Sequence, residues 1–593
     1  MDFAGDKKRQ TDPEVISPGS ERDAEKTVNV TVEPQHSKEG HDSDSDEFQD
    51  GVRRVRAITT VWSKTTVWSM FALLYLVSFV DYLQNAMDYS LSLYVVSSFQ
   101  KHGLLNIGGV LSTIIGACTP LALAKILDIW GRVEGFLFML LVSCIGMVMK
   151  AVSKNVQTYV AAHVLYWVGH IGIRYVIGVI IADMTSLKNR MIFIGFSNTP
   201  RIAGAFAGPV IAELFYKYST FRWAFGAFTI LLIGSSIPAM GLMMAMYRKA
   251  IKEGAIEKRQ PSGRTVIQSL KHYFIEFDMF GIFILMWALS LITLPFSLIQ
   301  YAPNGWKTGY IIAMLVLGVL LFPVFYVWEA KFAPVQFLPF RFLKQGTIIG
   351  SCLLVGIMYL STFCWNTYFN SYLQVVHRQS IVNSGYILNT FMLTAAVFGP
   401  IIGFVISWTG DFKWTAYTGV PIMLIGTALL IPFRTPSAPV GMLVFTQFLV
   451  GLGTQIFSTC SSLAIMAPVT HQYIAVVNAL ETLFGGVGAG IGIAIAGALW
   501  NNMIPQELYN RLPEESKANA TAIFSDIRVQ LAYADGTPER DAIVGAYAHV
   551  QRLMVIAGAC IMPLCVISIF VWKNINVKKI EEEKGKQTKG NTV

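Results

Sequence analysis

Two sets of side chains in this sequence have the types and spacing to do chemistry, and both lie in apolar surroundings. The first is ionisable. Asp81, Asn85 and Asp88 fall within two turns of one helical face, with Tyr82 and Tyr89 beside them. Glu481 follows Asn478 by three residues in a second apolar stretch, and Arg174 and Arg201 stand in two others. A carboxyl in such a setting can take up and release a proton. Asp81 and Glu481 are therefore the predicted proton carriers, with Arg174 and Arg201 as counter-charges. Asp88, nearer the end of its stretch, is expected to be solvated. Asp183 and Glu213, at stretch edges, are expected to be structural. The second set is aromatic and amide. Trp365, Phe369 and Tyr372 recur at i, i+4, i+7, and Asn366 and Asn370 are i, i+4 neighbours. Such a stripe either packs a bundle or walls a chamber, and the two amides favour an interior position.

The elements that must position these residues are membrane helices. The chain has 593 residues, 53% hydrophobic and 14% charged, with mean hydropathy +0.50. Soluble domains carry about 25% charged residues, so an ordinary soluble enzyme is excluded. Fourteen apolar stretches recur from 67–86 to 551–572, each about 20 residues long, enough to span a bilayer core. The fold class is an all-α polytopic membrane protein. An even count puts both termini on one side. Lys and Arg crowd the connections on that side, which marks it as cytoplasmic.

The stretches define the organisation. Residues 1–52 are an acidic tail expected to be disordered; residues 1–50 carry net charge −8 against +9 for the whole chain. Ser43 and Ser45 in that tail are plausible phosphate acceptors, and Lys7 and Lys8 ubiquitin acceptors. Residues 53–246 form a six-helix bundle and 247–277 a basic cytoplasmic linker. Residues 278–328 are a further helix pair and 329–346 a cytoplasmic loop. Residues 347–572 form a second six-helix bundle with a long extracellular loop at 500–546, and 573–593 a charged cytoplasmic tail. That loop holds the acceptor sequon Asn519-Ala-Thr521. The basic excess reads as membrane topology, with no nucleic-acid partner. The seven cysteines show no metal or disulfide spacing and read as small core residues. No Gly-x4-Gly-Lys-Ser/Thr loop is present, which argues against an ATP-driven pump.

Several motifs carry a resemblance. Asp128-x-x-Gly131-Arg132, between the second and third stretches, resembles the signature loop of the major facilitator superfamily. There Gly131 permits a strained turn, and Asp128 and Arg132 latch one conformation. Gly195-x8-Gly204-x3-Gly208-Pro209 resembles the fifth-helix motif of fourteen-helix facilitators. His163 stands where that superfamily often has an arginine in the fourth helix. An ordered set of strings is narrower. It comprises Tyr94-Val-Val-Ser97-Ser98-Phe99 with His102, Trp328-Glu329 with Phe332-Ala333-Pro334, Tyr368-Phe369-Asn-Ser371-Tyr372-Leu373-Gln374, Ser384-Gly385-Tyr386, and Ala546-Tyr547 with Gln551-Arg552. Together they resemble the fungal siderophore–iron transporters, proton-coupled facilitators, over residues 53–572.

The resemblance implies a major facilitator fold of 14 transmembrane helices in a 6+2+6 arrangement, with the site between two pseudo-symmetric bundles. It implies a ferric siderophore as substrate, with iron already chelated and no metal cluster or cofactor needed. Hydroxamate chelates are the first expectation. Substrate would meet Tyr82, Asn85, Trp365, Asn366, Phe369, Asn370 and Tyr372, with Tyr547 and His102 at the approach. The expected cycle is proton symport by alternating access, in a monomer, in the plasma membrane or else an endosomal or vacuolar one. The alternative is a proton-coupled exporter of drugs or other organic solutes. A ligand-sensing transceptor or a channel fits less well, for want of a large cytoplasmic domain or a repeated pore loop.

Overall fold

The computed structural model describes residues 62–99, 105–185, 193, 196–254, 265–299, 302–334, 338, 340–469 and 474–576. The acidic tail with Ser43, Ser45, Lys7 and Lys8, the loop residue His102, Gly195 and most of the last tail lie outside them. The long helices are α1 (Lys64–Ser98), α2 (Leu105–Ile129), α3 (Arg132–Val152), α4 (Val156–Met184), α5 (Pro200–Tyr218), α6 (Phe221–Lys252), α7 (Met279–Leu298) and α8 (Gly309–Val327). After them come α9 (Gly346–Asn366), α10 (Ile381–Thr409), α11 (Phe412–Phe433), α12 (Val440–Met466), α13 (Ile474–Arg511) and α14 (Pro538–Ile561). Thirteen helices among the described residues are long and apolar enough to cross a membrane. The exception is α5, which carries Arg201, Glu213 and Lys217 within 19 residues.

Neighbouring helices pack where small residues let backbones close up. In the first half α1 lies along α5 and α6, and α3 along α4 and α6. A Cβ at Gly208 would come within 2.4 Å of the Ala86 Cβ, so α5 approaches α1 more closely than any larger residue allows. In the second half α9 packs along α13, and α11 and α10 along α12. A Cβ at Gly488 would lie 2.0 Å from the Gly356 carbonyl oxygen, the same device used between α13 and α9. The halves meet along α2–α13 and α5–α10. Helices α7 and α8 pair with each other, and α7 rests on α2 and α13.

Three features differ from the sequence reading. First, α1 starts behind the Ser63 cap and runs to Ser98, well past residue 86. Second, the aromatic stripe is not on one continuous helix. The α9 helix ends at Asn366, and a short helix, Phe369–Val375, resumes after a turn at Thr367–Tyr368. Third, the segment 500–546 is largely helical. Trp500, Ile504, Leu508 and Leu512 are buried at four-residue spacing as α13 continues to Arg511. Short helices Ala520–Ser525 and Ile527–Ala532 follow, and α14 begins at Pro538. The motif loop behaves as its glycine predicts, with Gly131 at φ +117°.

Candidate functional site

Both halves place charged groups where water is scarce. In the first half, Asp81 on α1 is fully buried and lies 2.9 Å from Nδ1 of His170 on α4, itself buried. Two turns on along the same face, Asp88 is also buried, which corrects the expectation of a solvated carboxylate. Lys150 Nζ donates to both of its oxygens at 2.7 Å, and His163 Nδ1 lies 3.6 Å from Oδ2. The reason is the length of α1: its last three turns stay inside the bundle, so Asp88 is not at a helix end. Lys150 is further enclosed by the rings of Tyr166, Phe225 and Tyr159 at 4.5, 5.0 and 5.3 Å.

Tyr82 forms the inner wall of this half. Arg174 and Arg201 lie over its ring at 4.6 and 5.3 Å, and its hydroxyl donates to Asn198 Oδ1 at 2.8 Å. Asn85 donates to the Tyr166 hydroxyl at 3.3 Å. Across the junction, Glu481 on α13 accepts from Ser461 at 2.5 Å and from Ser462 at 3.5 Å. Tyr359 on α9 interacts electrostatically with Arg201, Glu481 and Arg174. One tyrosine is thus near both the predicted carboxyl of the second half and the predicted cations of the first.

The latch arginine also has a partner elsewhere in the chain. Arg132 Nε donates to Asp183 Oδ2 at 2.9 Å and Nη1 to the Leu127 carbonyl at 2.9 Å. Asp183, read from the sequence as structural, is thus a pairing carboxylate of Arg132. The Asp128 side chain lies outside the described residues.

The aromatic set is packed inside the second half. Trp365, Phe369 and Tyr372 are fully buried and Asn370 nearly so; Asn366 is half-buried. Asn370 Oδ1 accepts from Gln374 at 3.0 Å, and the Trp365 carbonyl from Gln551 at 2.8 Å. Tyr547 is buried in α14 instead of sitting in an open loop. Its hydroxyl donates to Gln530, and its ring meets Trp500 edge-on at 4.8 Å while Tyr368 stacks on that indole at 4.1 Å.

The sequence reading missed Lys150 and His170, and it missed Arg434. Arg434 caps the end of α11 and is fully buried. Its guanidinium lies 3.3 Å from the Phe369 ring centroid and 5.3 Å from that of Trp365. Nε, Nη1 and Nη2 have no hydrogen-bond partner among the described residues. Stacking on an aromatic face is worth about 2 kcal/mol when desolvated. Taking a cation out of water without a counter-ion costs more than that.

The ends of the bundle are unequal. Call the end opposite the 247–277 linker the distal end. There the halves are tied by hydrogen bonds: Tyr94 donates to Gln374, the Val382 N–H to Glu213 at 3.3 Å, and the Ile527 N–H to Ser97 at 3.5 Å. Deeper, Asn389 donates to the Ala205 carbonyl at 2.8 Å. Glu213, expected to be structural, is one of these ties.

Comparison with known proteins accounts for this arrangement. The Major Facilitator Superfamily profile matches residues 74–493. The chain is 54% identical over 555 residues to the "MFS siderochrome iron transporter 1" of Ajellomyces capsulatus, covering 94% of this chain and 96% of that one. It is 39% identical over 574 residues to the "Siderophore iron transporter mirB" of Emericella nidulans, covering 97% and 95%. The chain is a siderophore-transporter-type member of the major facilitator superfamily. Solved structures agree on the fold. A bacterial homolog of the human lysosomal transporter Spinster, inward-facing and occupied, matches with TM-score 0.53 at 14% identity over 86% of this chain and 97% of that one. The peptide transporter POT in complex with sulfate matches with TM-score 0.54 at 13% identity over 85% and 96%. In this facilitator, then, the two halves with their facing polar groups are the halves of a multi-pass transporter.

Proposed function

We propose that this facilitator is not an enzyme but a secondary active transporter importing ferric siderophores, first of all hydroxamate chelates, by proton symport. The observation that carries the reading is the 54% identity over nearly the whole chain to a named siderochrome iron transporter. The interior polar groups support it: Tyr82 with Arg174 and Arg201 in one half, Tyr359 and Glu481 in the other. An oxygen-rich chelate needs donors and aromatic faces, and these residues supply both. Iron arrives with its ligand set complete, so the chain itself needs no cofactor.

The cycle is alternating access in a 6+2+6 plan, with α7 and α8 as the inserted pair. The distal end opens to take the chelate and a proton, then closes through Tyr94–Gln374 and Glu213–Val382 as the linker end opens. Asp81 with His170, and Glu481, are the proton-exchanging groups. Arg132–Asp183 latches the linker end. The protein acts as a monomer in the plasma membrane with both termini cytoplasmic, as the basic linker and tail suggest.

The test is uptake of radio-iron from a panel of ferric hydroxamates into cells lacking their own carriers, with and without a protonophore. Saturable, chelator-selective uptake abolished by the protonophore is expected. Protein at the cell surface with no uptake of any chelate would move the assignment to proton-coupled export of organic solutes.

A further inference from the structure

Arg434 is an unusual guest in a bundle core. A guanidinium has five N–H donors and always carries its charge. Here it is fully buried, and its three nitrogens have no hydrogen-bond partner among the described residues. Two rings press on it, Phe369 and Trp365, and neither supplies an acceptor oxygen. Tyr372 and His377 are the titratable groups within its electrostatic reach, and neither is an anion near neutral pH.

The surrounding polar atoms are also left over. The Trp365 indole N–H and the Tyr372 hydroxyl are buried without a hydrogen-bond partner. Indole and guanidinium nitrogens can only donate. Unused donors and an unneutralised positive charge are therefore both found at the distal end of the second half, where the acceptor oxygens of Asn366 and Gln551 are also left unpaired. Hydrophobic packing alone would be better served by leucine or methionine at position 434, because a buried charge without a partner is a standing penalty.

The other half shows how such a charge is settled internally. Lys150 lies at the end of α3, the third helix of its half, as Arg434 lies at the end of α11, the third helix counted from α9. Lys150 is likewise buried among aromatic rings. It has Asp88 at 2.7 Å. Arg434 has no carboxylate in a salt bridge or hydrogen bond among the described residues.

We propose that Arg434, with the Trp365 indole N–H and the Tyr372 hydroxyl, forms an anion-recognition subsite whose counter-ion is brought by the transported chelate. The ligand group is an anionic oxygen, either a free carboxylate on the chelator or the charged hydroxamate oxygens around the metal. This rests on the siderophore reading and adds to it the charge type that the second half selects. Binding is what neutralises the guanidinium, so an empty transporter carries the penalty and a loaded one does not. That difference biases the loaded protein toward the closed distal end, where Arg434 is buried.

The test uses the purified full-length transporter in lipid nanodiscs, with thermal unfolding and equilibrium dialysis read together. The probes are a carboxylate-bearing trihydroxamate loaded with gallium(III), and its methyl ester. Arg434→Met is expected to raise the melting temperature of the ligand-free protein and to abolish the ligand-induced rise. Arg434→Lys should keep a reduced rise. Affinity for the favoured probe should fall at least 100-fold in Arg434→Met. Loss of wild-type binding on esterification assigns the subsite to a free carboxylate, and equal binding of acid and ester assigns it to the hydroxamate oxygens. The inference is overturned if Arg434→Met lowers the ligand-free melting temperature and still binds the probes as wild type does. If wild type binds neither these probes nor any other ferric hydroxamate, the siderophore reading fails and takes this inference with it.

Discussion

Lys150 and Arg434 are buried cations at the ends of the third helices of their halves, and they are treated oppositely. Lys150 is matched by a carboxylate, two short hydrogen bonds and three rings. Arg434 is given rings and no carboxylate. The same contrast recurs with the carboxyls. Asp81 has His170 at 2.9 Å, whereas Glu481 accepts from two serine hydroxyls. The first half thus gives its two buried carboxylates, Asp81 and Asp88, basic partners of its own. The second half holds a cation and an acid without charged partners beside them. Carboxylates settled in this way make a stable frame, and charge left unsettled responds to what enters.

The largest effect should come from breaking the settled pair. Lys150→Met leaves Asp88 buried and unpaired, at an expected cost of about 3–5 kcal/mol in stability. Thermal unfolding of the purified protein reads it, and Lys150→Met with Asp88→Leu should recover much of the loss. If the single variant is as stable as wild type, the frame description is wrong.

Next come the two carboxyls. Glu481→Gln should reduce protonophore-sensitive accumulation by about 5–150-fold, the span of ordinary coupling energies, while exchange down a gradient persists. Asp81→Asn should do less, because His170 remains beside it. Equal loss in both, measured as accumulation ratios, would remove the asymmetry.

The smallest effect concerns His377, in the connection after the Phe369–Val375 helix. Burial, and then the nearby Arg434, hold its imidazole below the ordinary value of 6.5. It is neutral in the folded protein where the unfolded chain would be protonated. Stability is therefore full above pH 6.5 and declines as pH falls below it, since the unfolded state gains the proton first. His377→Gln should flatten that decline in unfolding measured from pH 7 to 5. An unchanged slope would mean that another group sets it.

Much of this was legible in the sequence because a membrane makes polarity informative. Asp81, Glu481, Arg174 and Arg201 stand out in apolar stretches, and all four lie inside the bundle. The helices, the signature loop and the glycine contacts of α5 were readable for the same reason. Stretch edges were less informative. Hydropathy fades after residue 86, but α1 continues to Ser98, so Asp88 looked solvated. Lys150 lies near the end of its stretch, where a lysine carries no signal of burial. Arg434 follows Pro432-Phe433 and looks like part of a short connection. The break at Thr367–Tyr368 was invisible to spacing, because every residue around it is compatible with a helix. The pairing of Arg132 with Asp183 joins residues 51 positions apart, beyond the reach of any local pattern.

The short helices of 520–532 bear on the distal closure. They are held to the second half by Gln530, which accepts from Tyr547, and by Arg378, which donates to the Leu531 carbonyl at 2.7 Å. They meet the first half at Ser97. In an alternating-access cycle this segment would travel with the second half, like a visor hinged on one side of a helmet. Its outer surface would then change with the transporter's state. A cross-link joining positions 97 and 527, which meet at the buried seam, would jam the visor and hold the distal end shut without touching the interior.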